Sequence, residues 1–246
     1  MTSNLLISGG PLHDFAASSG ALVEVFTEAS VESTVFDDPR AALAELAAEP
    51  EAWDFVTVNA LRWEMASQRH AAHRDAWAFT LREDEAHTLD RHVRSGGALL
   101  ACHTATICFD SHPLWAGLIG ATWNWERSSH PPQSLARVTP TAAGRKHAIT
   151  SGIQEFVTND EIYGFLDYAP GLIPLLTSRH GGTDHPVLWA RSVGTGRVVT
   201  DLLGHDARAM RQPEHRAILA RAALWLRDQR SPSVKRNDTE RTSTSP

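Results

Sequence analysis

The sequence predicts a doubly wound, mainly parallel α/β sheet with an antiparallel C-terminal hairpin extension. Three observations carry that expectation. Strands and helices alternate through the first hundred residues. Most of those strands are short and wholly apolar, as a parallel sheet covered on both faces requires. Further on, Val193-Gly194-Thr195-Gly196 joins two strand-like runs and signals a hairpin, which pairs antiparallel.

Residues 4–8 form the first strand, closed by Gly9-Gly10-Pro11. A helix over about 15–28 follows, with Leu22, Val25, Phe26 and Ala29 at helical spacing. Residues 31–36 alternate as a strand. Asp38 then caps the next helix, which has Pro39 at its first position and runs to about residue 49. Residues 55–58 form the third strand. Residues 61–80 are rich in aromatics and histidine without clean periodicity, and read as a long excursion. A helix over 83–94 stops at Gly96-Gly97, and 98–101 is the fourth strand. The second half holds short strands near 135–138, 172–177, 187–191 and 197–202, then a helix over 213–227. The expectation is one domain over 1–228. Residues 229–246 lack aromatics, carry a net charge of +2 and are expected to be a disordered tail.

Composition narrows the function. An apolar share of 42% and a charged share of 21% suit a globular chain. A net charge of −6 argues against nucleic-acid binding, which depends on neutralising phosphates. Two cysteines do not make a disulfide framework. The N-terminus enters an apolar run with no basic segment before it, and no stretch nears the roughly 20 residues needed to span a bilayer. The expectation is a cytoplasmic protein with no membrane partner. Thirteen histidines in 246 residues make a metal or proton-transfer site plausible.

In doubly wound sheets, ligands bind beyond the carboxyl ends of the strands. There the sequence places His13, Asn59, His103, His205 and Asp206. Each has a plainer reading: His13 as a helix cap, His205-Asp206 as a turn pair. The turn Gly9-Gly10-Pro11 matches neither GxGxxG nor a P-loop, so no nucleotide site is expected. A nucleophile elbow needs small residues two before and two after its tip. Centred on Cys102 those positions are Leu100 and Thr104; centred on His103 they are Ala101 and Ala105, which fit better. The tip is therefore His103, with Cys102 turned back into the sheet. The loop Trp123-Asn124-Trp125 to His130 offers aromatic rings that stack on sugars, or that simply fill a core. Glu161 and Tyr163 pair a base with an orienting phenol, or form a surface turn. His70, His73, His87, His92 and His215 are expected in solvent.

Together these motifs resemble the ThuA-like (trehalose utilisation) family. The elements are Gly9 to His13; Gly96-Gly97-Ala98-Leu99-Leu100-Ala101-Cys102-His103-Thr104-Ala105; Gly120 to His130-Pro131; Asp160-Glu161-Ile162-Tyr163; His185-Pro186-Val187-Leu188-Trp189-Ala190-Arg191; and Gly194 to Asp206, together covering about residues 4–227. The resemblance implies a flavodoxin-like fold similar to class I glutamine amidotransferases. In those relatives the elbow carries a catalytic cysteine; His103 stands there in this chain, which argues against a glutaminase. It also implies catabolism of trehalose-type disaccharides or keto-sugars, with a divalent metal such as zinc as candidate cofactor. On this reading the protein is a carbohydrate-processing enzyme. His103, Glu161 and Tyr163 are catalytic; His13, Asn59, Trp123, Trp125, His130 and Asp206 bind a small sugar; His103 and His205 hold the metal. The alternative is a non-catalytic sugar- or partner-binding protein. A homo-oligomer is compatible with either.

Overall fold

The computed structural model describes residues 2–227; the tail expected at 229–246 lies outside the described residues. The first half runs β1 (Thr2–Gly9), α1 (Phe15–Glu28), β2 (Val31–Phe36), α2 (Pro39–Ala48), β3 (Phe55–Ala60), α3 (Ala71–Trp77), α4 (Glu83–Arg94) and β4 (Ala98–Cys102). It continues through α5 (Pro113–Ile119), β5 (Ala121–Thr122), β6 (Ser134–Pro140), β7 (Phe156–Asp160), β8 (Asp167–Tyr168) and β9 (Pro174–His180). The chain then closes with β10 (Thr183–Val193), β11 (Gly196–Asp201), α6 (Ala207–Met210) and α7 (Pro213–Arg227).

Nine strands form one sheet in the order β2-β1-β3-β4-β11-β10-β9-β6-β7. The first five run parallel, so the four N-terminal strands pair as expected. The remaining four are antiparallel. The extension is therefore wider than the expected hairpin, and β11 itself belongs to the parallel set. Strand β9 starts two residues later than expected and runs to His180. Strand β7 was not expected at all, because its five residues end in Asn159-Asp160, which favour turns.

Successive residues of the parallel strands face opposite cores. In β1, Leu6 joins Leu22, Phe26 and Leu219 on the side of α1 and α7. Leu5 and Ile7 join Leu43, Leu46 and Leu89 on the side of α2 and α4. Every residue of β3 and β4 is buried; β4 is an unbroken apolar run, and β3 encloses the polar Thr57 and Asn59. Asp38 caps α2 as expected, its carboxylate accepting the Arg40 N–H at 2.9 Å. The excursion folds over the carboxyl edge as a loop leading into α3. Its anchors are the Phe79 N–H on the Trp63 carbonyl and Arg74 on the Met65 carbonyl, both at 2.9 Å.

Two histidines expected in solvent are buried. His92 packs inside on α4, and His215 is fully enclosed beside Asp201. Among the described residues no helix is long and apolar enough to cross a membrane.

Candidate metal and substrate site

The elbow after β4 is real. His103 follows the strand directly with φ of +42° and opens a short 3-10 turn. A side chain in that left-handed region costs on the order of 1–3 kcal/mol. His103 Nδ1 lies 2.8 Å from the Leu202 carbonyl oxygen. A carbonyl only accepts, so Nδ1 is the donor here and Nε2 is turned to the site. That Nε2 is buried and has no partner. Cys102 lies on the strand, enclosed in the core, and burial first, then the Asp201 charge, pushes its thiol up. The Cys108 thiol donates to the Ala60 carbonyl at 2.9 Å and burial pushes it up to about 12. Neither sulfur suits a nucleophile.

Three further groups meet His103. His13 comes from the loop after β1, Glu161 from the end of β7, and His205 from the loop after β11. Glu161 Oε2 lies 3.2 Å from His205 Nδ1, and 3.8 Å from both His13 Nε2 and His103 Nε2. His130 Nδ1 stands 3.5 Å from the same oxygen. One donor atom from each of His13, His103, Glu161 and His205 lies within 4.8 Å of all the others. The imidazoles enclose the carboxylate, with His13 and His205 ring centres 4.5 Å apart.

The electrostatics follow from that crowding. Burial works to raise the Glu161 carboxyl, but the imidazoles crowded around it, His103, His13 and His205 first, outweigh it, and its pKa falls far below the usual carboxylate range. His205 is raised, first by the Glu161 carboxylate beside its Nδ1. His13 is lowered, by burial above all and then by its neighbouring imidazoles. Burial pushes the Tyr163 phenol well up, so it stays protonated.

This donor set fits a divalent ion. Zinc at about 2.1 Å from each ligand in a tetrahedron puts the ligand atoms about 3.4 Å apart, so small side-chain movements would close the site. Buried ring nitrogens of His13, His103 and His205 without hydrogen-bond partners match such a role. Three imidazoles and one carboxylate are ligands zinc and similar metals take.

The cluster opens into a cavity of about 380 Å³ walled by Trp63, Trp123, Trp125, His130 and Tyr163. Tyr163 stacks on His130 at 4.9 Å and lies 4.8 Å from His103. Trp123 sits 5.3 Å from Tyr163, and Trp125, half exposed, stands at the mouth.

Two sequence candidates do not reach the cavity. Asn59 is buried at the end of β3, and its amide donates to Ser18 and Ser19 on α1, both at 3.0 Å. It ties strand to helix instead of binding substrate. Asp206 caps α6 through the Ala209 N–H at 2.7 Å, and its other oxygen accepts from Gln133 at 2.8 Å. Both its oxygens are engaged by the fold. Sequence reasoning missed Trp63, Arg69 and His70, which the excursion brings to the cavity wall. Their aromatic and basic composition was visible; their position was not, because nothing local said where the excursion lands.

Solved structures share this fold. A structure of a ThuA-like protein from Parabacteroides merdae superposes with a TM-score of 0.69 at 17% identity, over 94% of this chain and 92% of that one. A second ThuA-like protein, from Bacteroides uniformis, gives 0.65 at 12% identity, over 92% and 91%. A cytoplasmic protein from Salmonella typhimurium gives 0.60 at 13%, over 92% and 99%. At such identities these establish the fold alone, and no curated protein matches. The family described as ThuA, trehalose utilisation, matches residues 25–226, which take in the elbow, Glu161 and His205. With that span of the sequence matched, the chain belongs to the ThuA trehalose-utilisation family.

Proposed function

We propose that this protein is a metal-dependent enzyme of sugar catabolism, acting on a keto-sugar or trehalose-type disaccharide held in the aromatic cavity. The observation that carries the reading is the four donor atoms of His13, His103, Glu161 and His205 within 4.8 Å of one another at the cavity floor. The family supports the sugar, and the walls of Trp123 and Trp125 suit the apolar face of a sugar ring. A divalent ion bound there would polarise a carbonyl or hydroxyl oxygen.

The roles differ from the sequence expectation at Glu161, His13 and His130. Glu161 is placed as a ligand, because its Oε2 lies among the ring nitrogens of His13, His103 and His205. His130 is the better proton carrier: its Nδ1 lies 3.0 Å from the Pro131 carbonyl, which holds a proton there and leaves Nε2 free to accept one. Its side chain keeps 34% of its surface exposed, enough to meet a substrate. Tyr163, protonated and stacked on His130, supplies a hydrogen-bond donor and fixes that ring.

Elemental analysis of the purified protein, followed by turnover assays on keto-sugars, tests the reading. About one divalent ion per chain is expected, lost in His103→Ala. His130→Gln should keep the metal and lose about 100-fold or more in kcat, the scale of general acid–base catalysis. A wild-type protein that takes up neither zinc nor manganese at saturating concentration rules the metal out. Sugar binding without turnover assigns the non-catalytic alternative.

A further inference from the structure

Asp160 is fully buried, yet all its hydrogen bonds go to backbone N–H groups at the site. Its Oδ1 accepts from Glu161 at 2.9 Å and from His205 at 3.0 Å, and its Oδ2 from Gly204 at 2.7 Å. Two of these donors are residues whose side chains supply metal-ligand atoms. The third, Gly204, has φ of +99°, a conformation that any side chain would strain.

The same turn reaches the other ligands. Leu202 holds the His103 ring through its carbonyl. The Leu203 N–H bonds back to Asp201 at 3.1 Å, and Asp201 in turn holds His215 at 2.8 Å. Residues 202–205 thus orient His103 and carry His205, while Asp160 joins that turn to the end of β7, where Glu161 begins. We infer that Asp160 is a positioning residue: its carboxylate clamps the 202–205 turn to β7 and so sets the spacing of His103, Glu161 and His205 before any ion arrives.

This inference rests on reading the four donors as a metal site. It makes a definite demand on the carboxylate. One oxygen takes Gly204 and the other takes His205, so both must be acceptors. Asparagine has one acceptor oxygen; in Asp160→Asn one of these two N–H groups faces an amide donor instead. The His205 backbone should then shift while the volume stays unchanged.

Cobalt(II) alone is the probe, because its visible ligand-field spectrum reports the number and arrangement of ligands. Asp160→Asn should bind cobalt about 10- to 100-fold more weakly, the usual cost of losing a group that orients ligands, and with an altered spectrum. A role limited to stability would lower the melting temperature and leave affinity and spectrum as in the wild type; that result overturns the inference. Hydrogen exchange on the metal-free wild type is the second measurement, and it needs no variant. The Gly204 and His205 amides should be strongly protected. Should Asp160→Asn fail to fold, unprotected amides sink the clamp and protected amides support it. A wild type that binds no cobalt removes the metal reading, and the exchange result still decides whether Asp160 holds the turn.

Discussion

His215 shows how far a single buried group can govern stability. It is wholly enclosed, with Nε2 on Asp201 at 2.8 Å and Nδ1 on the Ala209 carbonyl at 2.9 Å. Burial acts to lower its pKa, but the Asp201 carboxylate and the Ala209 carbonyl outweigh it and raise it to about 9. A histidine whose folded pKa lies above its unfolded value stabilises the fold while protonated. That contribution is complete below about pH 6.5 and is lost as pH rises through about 9. The shift corresponds to roughly 3 kcal/mol, or several degrees of melting temperature for a domain this size. Melting curves between pH 6.5 and 9.5 should fall more steeply for the wild type than for His215→Gln. Equal slopes would mean that His215 is neutral in the folded protein.

At the scale of elements, how much was legible depended on whether the signal was local. The inner strands β1, β3 and β4 were readable because burial on both faces leaves a mainly apolar run, and the edge strand β2 because its residues alternate, signals that need no partner to recognise. The cap at Asp38 and the elbow at His103 were readable because each depends on residues within two positions. Strand β7 was not, since its five residues become a strand only through pairing with β6, about 20 residues earlier. Asn59 and Asp206 sit at strand ends, as expected, but a side chain's direction depends on neighbours far away in sequence. For Asn59 those are two serines on α1; for Asp206, Gln133. His215 was misplaced for the same reason, since Asp201 is its reason for being inside.

The loop from β1 to α1 allows a test at this scale. Gly10 has φ of +151°, and a Cβ there would stand 2.5 Å from the Leu61 carbonyl oxygen. Neither backbone can yield without moving the loop that carries His13. Gly10→Ala should destabilise the protein by about 1–3 kcal/mol and also weaken metal uptake. Denaturant melts and a cobalt titration read the two effects separately. Loss of stability with cobalt affinity unchanged would show that the loop adapts without disturbing His13.

For the whole molecule, the decisive fact is where the four donors originate. They follow β1, β4, β7 and β11, which span the sheet from its parallel half to the last antiparallel strand. The two hydrophobic cores lie on opposite faces of that one sheet and share its strands. An ion held by His13, His103, Glu161 and His205 therefore ties regions from both ends of the sequence, and unfolding either half would release it. Binding restricted to the folded state stabilises by about 2.7 kcal/mol when the free ion is at 100 times its Kd. At about 2–4 °C per kcal/mol for a domain of this size, the melting temperature should rise by about 5–10 °C. The rise should appear in calorimetry as one transition moving intact, because the strands that carry the four donors belong to one continuous sheet. In His103→Ala the shift should vanish at the same ion concentration. Two transitions, of which zinc moves only one, would show instead that the antiparallel half unfolds on its own and that the donors do not bind as a unit.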